Sequence, residues 1–146
     1  MSEGSVPDVT VDDVLAARAD LEGVMRATQL KYSRALSDRV GTEVFLKCEN
    51  LQRAGSFKFR GAYTRLSRLS EEEKAAGVVA ASAGNHAQGV ALAAQMLGIR
   101  EKIYMPVGAP MPKVNATRAY GAEIEQVGHT LDEAMPHAQE YSRQTG

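Results

Sequence analysis

The fold is decided by residues 78–105, VVAASAGNHAQGVALAAQMLGIREKIYM. Residues 78–81 are an apolar run of strand length, and a turn of small residues follows them. Residues 86–97 have the apolar pattern of a buried helix that ends at Gly98, and residues 102–105 again have strand length. A strand, a helix and a second strand in this order predict a right-handed crossover between two parallel strands. The stretch therefore predicts an α/β fold.

The alternation continues on both sides of this stretch. We predict helices at 58–68, at Pro112–Tyr120 and at Thr130–Arg143, a helix start at Ser70–Lys74, and a strand at Glu123–Val127. Short buried strands that alternate with helices favour an open parallel sheet with helices on both faces. The fold class predicted for this part of the chain is therefore a doubly covered α/β sheet.

Residues before Leu51 do not share this alternation. Here the sequence predicts a helix capped by Thr10 with Asp13 three positions on, a short helix at Ser33–Val40 and a strand at Glu43–Cys48. We therefore expect two units: residues 1–50 belong to one packing unit, and residues 51–146 form the α/β domain.

Composition excludes several classes of function. The 17 Lys and Arg residues nearly cancel the 18 Asp and Glu residues, so nucleic acid and an anionic membrane surface are not expected as partners. No apolar stretch approaches the roughly 20 residues that a membrane span needs. The start MSEGSVPDVT lacks the pattern of a signal peptide, so we expect a cytoplasmic protein with a loose terminus at residues 1–9. The single cysteine, Cys48, is expected to be buried filler, and no Cys/His cluster has the spacing of a metal site.

The first candidate for chemistry is a lysine in residues 49–62, ENLQRAGSFKFRGA. Lys58 lies between two aromatic residues and opens a helix. Phe57 and Phe59 could desolvate its ammonium, and Arg60 together with the helix dipole would disfavour its charge, which favours a neutral nucleophilic amine. The alternative is a surface lysine whose stem covers the phenyl rings.

The second candidate is the turn between the predicted strand at 78–81 and the following helix. Backbone N–H groups from Ser82 to His86 would face a ligand at a helix N-terminus, where negative charge is favoured, and Ala83 and Gly84 permit close approach. Asn85 adds an amide that can donate and accept. The alternative is that Ser82 or Asn85 only caps the helix. The turn lacks both the dinucleotide and the phosphate-loop glycine patterns.

Together the two segments carry a family resemblance. SFKFRGA at 56–62 followed by SAGNHAQG at 82–89 resembles the threonine dehydratase family of fold-type II pyridoxal-phosphate enzymes. The resemblance runs from about Leu30 to the end and includes KCENLQ at 47–52 and PxxKVxATRxYGAEI at 110–124. It implies that residues 51–146 are the small α/β domain of that fold and that residues 1–50 are the first piece of a larger domain.

The resemblance also implies roles for individual residues. Lys58 would carry pyridoxal phosphate as a Schiff base and later remove the substrate Cα proton. Phe57 would pack against the cofactor, and Asn85 would hydrogen-bond its 3-hydroxyl. The backbone of Ser82, Ala83, Gly84, Asn85 and His86 would hold the substrate carboxylate. The implied reaction is α,β-elimination of L-threonine to 2-oxobutyrate and ammonia, or of L-serine to pyruvate, in a homo-oligomeric enzyme.

Three alternatives stay open beside the dehydratase. A serine racemase shares both motifs, but the racemases carry an acid–base serine where this chain has Ala83. Cysteine-synthase-like members carry threonine where this chain has His86. The third alternative is a non-catalytic chain that only folds and self-associates. Family members are more than twice this long, so the resemblance implies that the phosphate-binding loop and the partner of the pyridine nitrogen lie after Gly146, and that residues 1–146 alone are inactive.

Overall fold

The computed structural model describes residues 8–146, and most of the expected loose terminus lies outside them. The helices within this range are α1 Val11–Asp20, α2 Arg34–Val40, α3 Lys58–Ser67, α4 Glu71–Ala76, α5 Asn85–Leu97, α6 Met111–Ala119 and α7 Leu131–Thr145. The strands are β1 Leu30–Tyr32, β2 Phe45–Lys47, β3 Val78–Ala81, β4 Glu101–Met105 and β5 Glu123–Gln126. Two short 3-10 turns, Glu49–Leu51 and Arg53–Gly55, precede α3.

The central feature is a three-stranded parallel sheet with the order β3-β4-β5. Ala80 pairs with Ile103, and Ile103 pairs with Ile124, so the three strands share one register along the sheet. Each strand is followed by a helix, as the apolar pattern predicts. The predicted fold class, an α/β unit built on a parallel sheet, is confirmed.

Helices cover both faces of this sheet because alternate residues of a strand point in opposite directions. Ile103 and Met105 are fully buried in the core cluster that includes residues of α3, α5 and α6. Tyr104, between them, instead packs with Ala134 and Ala138 of α7. The sheet therefore has a large core on the α5 side and a smaller one on the α7 side.

Helix α5 is the most buried helix of the described chain. Ala87, Ala91 and the neighbouring small residues of α5 are almost completely buried, which agrees with its apolar sequence. Helix α3 packs against it, with the buried residues Phe59, Ala62 and Leu66 at helical spacing. This contact sets the position of the first turn of α3 relative to the first turn of α5.

The residues before α3 are built differently. Strands β1 and β2 form a separate antiparallel pair in which Lys31 lies opposite Leu46. Strand β1 is absent from the sequence prediction because three residues are too few to show a period. The capping box of Thr10 and Asp13 is confirmed. Many large apolar residues here are exposed: Val11, Val14, Leu15, Leu30, Tyr32, Leu36, Val40, Phe45, Leu46 and Leu51.

Within residues 8–146, no helix is long and apolar enough to cross a membrane. The same residues contain no group of three or more His, Cys, Asp or Glu side chains placed to hold a metal ion.

Candidate functional site

The turn between β3 and α5 lies at the carboxyl edge of the parallel sheet, where open α/β sheets bind ligands. Ser82 is buried, and its hydroxyl accepts hydrogen bonds from the amide N–H groups of Gly84 and Ala87, each at 3.3 Å. The Ser82 side chain thus caps the first turn of α5, which is the alternative left open for it by the sequence.

The backbone of the same turn keeps donors for a ligand. Across residues 8–146, the amide N–H groups of Ala83, Asn85 and His86 donate to no protein acceptor. Such N–H groups at a helix N-terminus favour an anion. The predicted carboxylate-binding backbone is therefore available at three positions, while the Ser82 hydroxyl is already used within the turn.

Lys58 is the first residue of α3, and its side chain is exposed. Its backbone N–H donates to the Ser56 hydroxyl at 3.4 Å, which ties it to the preceding turn. The Nζ atom lies 5.5 Å from the centre of the Phe57 ring, and Phe57 is itself 60% exposed. No carboxylate within residues 8–146 forms a salt bridge with Lys58. The amine is thus accessible, with one aromatic neighbour.

Two neighbours expected to act on the Lys58 amine do not do so. Phe59 is fully buried and packs edge-on against Tyr63 in the core, so its ring does not desolvate the lysine. Arg60 is paired with Glu49 through two hydrogen bonds of 2.7 and 2.9 Å. A helix turns successive side chains by about 100°, so Phe59 and Arg60 point away from the face that presents Lys58.

The pair of Glu49 and Arg60 links the 3-10 turn at Glu49–Leu51 to α3. Hydrogen bonding from Arg60, aided by a hydrogen bond from the Thr28 hydroxyl, lowers the pKa of Glu49 to about 2. Gln52 adds a second link, because its amide accepts from the Arg26 N–H at 3.0 Å and donates to the Arg26 carbonyl at 2.9 Å. These bonds join residues 26–28 to the segment that leads into Lys58.

Gly89 brings the two candidate segments together. A Cβ atom built at Gly89 would lie 3.1 Å from the carbonyl carbon of Lys58 and 3.1 Å from the backbone nitrogen of Phe59. Real side chains rarely approach backbone so closely, so the contact depends on the missing Cβ. Because α5 touches the start of α3 here, Lys58 and the turn at 82–86 share one surface.

Asn85 and His86 begin α5 beside the lysine, and both are exposed. Partial burial of the imidazole, followed by the nearby Lys58 ammonium, lowers the pKa of His86 below its usual 6.5. The direction of this shift means that a positive charge on His86 is disfavoured next to the lysine. Ala83, one residue before the glycine of the turn, packs partly against the core and offers no proton-bearing group.

Lys113, for which the sequence predicts no role, also belongs to this site. Its Nζ donates a hydrogen bond to the side-chain oxygen of Asn85. The sequence signal was the PxxK pattern at 110–113, but nothing in the pattern indicates that α6 lies beside the first turn of α5.

Comparison with known proteins identifies the class. Residues 21–146 match the model of the pyridoxal-phosphate dependent enzyme family, and the chain belongs to that family. It is 51% identical over 138 residues to the L-threonine ammonia-lyase of Thermotoga maritima, covering 94% of this chain and 34% of that protein. It is 52% identical over 131 residues to the L-threo-3-hydroxyaspartate ammonia-lyase of a Pseudomonas species, covering 83% of this chain and 41% of that protein. The chain therefore spans about two fifths of the length of these relatives or less.

Solved structures give the same fold. The structure of maize serine racemase superimposes with a TM-score of 0.87 at 34% identity, covering 93% of this chain and 41% of that one. The backbone fold is thus shared between ammonia-lyases and a racemase, so individual residues must distinguish the two activities.

The residues described here fit the cofactor of this family. Pyridoxal phosphate needs an accessible lysine amine for its aldehyde and a hydrogen-bond donor for its phenolic oxygen. Lys58 is accessible, and Asn85 has a side-chain amide on the same surface. Both requirements are met by residues at the starts of two packed helices.

Proposed function

We propose that the protein is a pyridoxal-phosphate-dependent ammonia-lyase that performs α,β-elimination on L-threonine or L-serine. The observation that supports the proposal is the contact of Gly89 with the backbone of Lys58, since it packs the start of α3, with its accessible lysine amine, against α5, whose N-terminal N–H groups would favour an anion. The similarity to the two ammonia-lyases named above supports the same reaction class.

Each residue of the site has a separate proposed role. Lys58 and Asn85 would hold the cofactor, with Phe57 beside it, and the backbone N–H groups of Ala83, Asn85 and His86 would bind the substrate carboxylate. When bound, the cofactor supplies an electron sink for the carbanion at Cα. Lys58 would take the Cα proton. The β-hydroxyl then leaves as water, and hydrolysis returns water to the product, so L-threonine gives 2-oxobutyrate and one ammonia, and L-serine gives pyruvate and one ammonia.

A serine racemase is the second candidate, favoured by the similarity to the maize structure. Racemisation requires a proton donor on the face opposite the base. Ala83 occupies the position where the racemases carry serine, and it has no exchangeable proton. Elimination is therefore favoured over racemisation.

The setting of the enzyme is also part of the proposal. We infer a cytoplasmic homo-oligomer that takes a small amino-acid substrate, in which residues 51–146 form the α/β domain with Lys58 and residues 1–50 belong to a second unit. Hydrogen bonds between Arg26 and Gln52, and between Arg60 and Glu49, would hold the two units together.

The test is chemical labelling of the complete gene product. Borohydride reduction in the presence of pyridoxal phosphate, followed by peptide mapping, should recover the label on Lys58. Turnover of L-threonine should be lost in Lys58→Ala and kept in Lys74→Ala, because Lys74 lies on α4 and pairs only with Glu71. A label recovered on another lysine would reject the assignment of Lys58.

A further inference from the structure

We propose that Lys113 is a positioning residue, which fixes the orientation of the Asn85 amide so that its NH2 group faces the ligand. This inference rests on the proposed function for the identity of that ligand, pyridoxal phosphate. It concerns a residue outside both motifs that carry the chemistry.

The chemistry of the two side chains determines the orientation. A lysine ammonium has three donors and no acceptor, whereas an asparagine amide has an oxygen that accepts and an NH2 group that donates. The bond from the Lys113 Nζ therefore holds the oxygen of Asn85. The NH2 group of Asn85 is left at the exposed end, where it can donate a hydrogen bond to a phenolate oxygen but cannot accept one.

The backbone of α6 holds Lys113 in place for this contact. Its N–H donates to the Pro110 carbonyl at 2.8 Å, and its carbonyl accepts from the Thr117 hydroxyl at 2.9 Å. Thr117 and Val114 are completely buried. The first turn of α6 is thus anchored in the core, and the lysine side chain reaches Asn85 at the first turn of α5.

The positive charge adds a second effect. An ammonium that holds the amide oxygen polarises the amide, and a charge-assisted hydrogen bond is stronger than a neutral one. The NH2 group of Asn85 then becomes a better donor for an anionic oxygen. Without Lys113, the amide could rotate and present its oxygen to the phenolate, which is repulsive.

The decisive experiment is a double-mutant cycle on pyridoxal phosphate affinity in the complete gene product. Lys113→Met should raise the Kd of the cofactor about 10-fold in the wild-type background, the effect of losing ~1.4 kcal/mol. In the Asn85→Ala background the same substitution should change the Kd less than about 2-fold, because a positioning residue has nothing left to position. Lys113→Arg, which keeps a charged donor, should recover most of the affinity.

Controls separate this inference from the proposed function. Lys74→Met is the matched lysine control and should leave the Kd unchanged. Equal effects of Lys113→Met with and without Asn85 would overturn the positioning role. If borohydride labels Lys58 in every variant but Lys113→Met binds like the wild type, only the inference fails. If the label is not on Lys58, the proposed function fails. Should Lys113→Met not fold, the same cycle with Lys113→Ala, which also removes the donor and the charge, decides the outcome with the same expected Kd changes.

Discussion

The backbone of Lys58 lies so close to Gly89 that a Cβ atom on the glycine would be 3.1 Å from the Lys58 carbonyl carbon. The contact joins the start of α3 to the second turn of α5, and through it the candidate Schiff-base lysine to the candidate carboxylate turn. The absence of a Cβ atom at Gly89 thus sets how closely the start of α3 approaches α5.

Gly89→Ala should lower the free energy of unfolding by about 1–3 kcal/mol, because the added methyl group forces the two helices apart. Gly61→Ala is the matched control, since Gly61 lies in α3 and a Cβ there meets no atom within 4 Å. It should raise the free energy of unfolding by about 0.5–1 kcal/mol through helix propensity alone. Urea unfolding of both variants measures the difference, and equal effects would contradict the close contact.

In the complete gene product, L-serine should give pyruvate much faster than D-serine. The physical reason is that Ala83 cannot deliver a proton to the second face. Chiral chromatography together with a pyruvate assay measures both products. Ala83→Ser should raise the ratio of D-serine to pyruvate. Comparable amounts of both products in the wild type would mean that another group serves that face.

Glu49→Gln should lower the free energy of unfolding at pH 7 by about 1–3 kcal/mol, the typical value of a hydrogen bond to a charged group. Because the pKa of Glu49 is lowered to about 2 in the folded protein, its contribution is complete above the unfolded value of 4.5 and is lost as the pH falls through 2. The difference in free energy of unfolding between the wild type and Glu49→Gln, measured by urea titration, should therefore be smaller at pH 3 than at pH 7. Glu43→Gln, at an exposed position in the loop before β2, is the control and should have little effect at either pH.

Glu101 should show the opposite pH dependence. Its Oε1 atom is buried without a hydrogen-bond partner among residues 8–146, and burial raises the pKa of this carboxyl to about 7. Its folded-state protonation stabilises the protein below the unfolded value of 4.5, and this contribution is lost as the pH rises through 7. The side chain of the Glu101→Gln variant cannot ionise. The melting temperature of the variant minus that of the wild type should therefore increase from pH 5 to pH 8. A constant difference across this range would contradict the raised pKa.

A polypeptide of residues 1–146 should self-associate and retain pyridoxal phosphate weakly. The apolar side chains of Val11 and Leu30 are 74% and 66% exposed, and contiguous exposed apolar surface favours association. Lys58, Asn85 and His86 are exposed as well, so water competes for each of their contacts with the cofactor. Gel filtration with light scattering, beside a visible spectrum after desalting, tests both expectations. A monomer that keeps stoichiometric cofactor would contradict them.

The sequence determined the order of the elements from α3 to α7 and predicted their first residues to within one position. Runs of strand length that alternate with helical patterns predicted β3, β4 and β5 with their helices. Local hydrogen bonds also followed from sequence, as the cap of Thr10 with Asp13 illustrates. Local sequence patterns also identified the two segments that contain Lys58 and Asn85.

Only the tertiary structure decided which side chains meet across elements. The bond from Lys113 to Asn85 spans 28 residues, and that from Arg60 to Glu49 spans 11. Hydrophobic periodicity reports which face of one element is buried, but it carries no information on the rotation and crossing of two helices. That crossing determines that Phe59 lies in the core and that Arg60 forms an ion pair with Glu49.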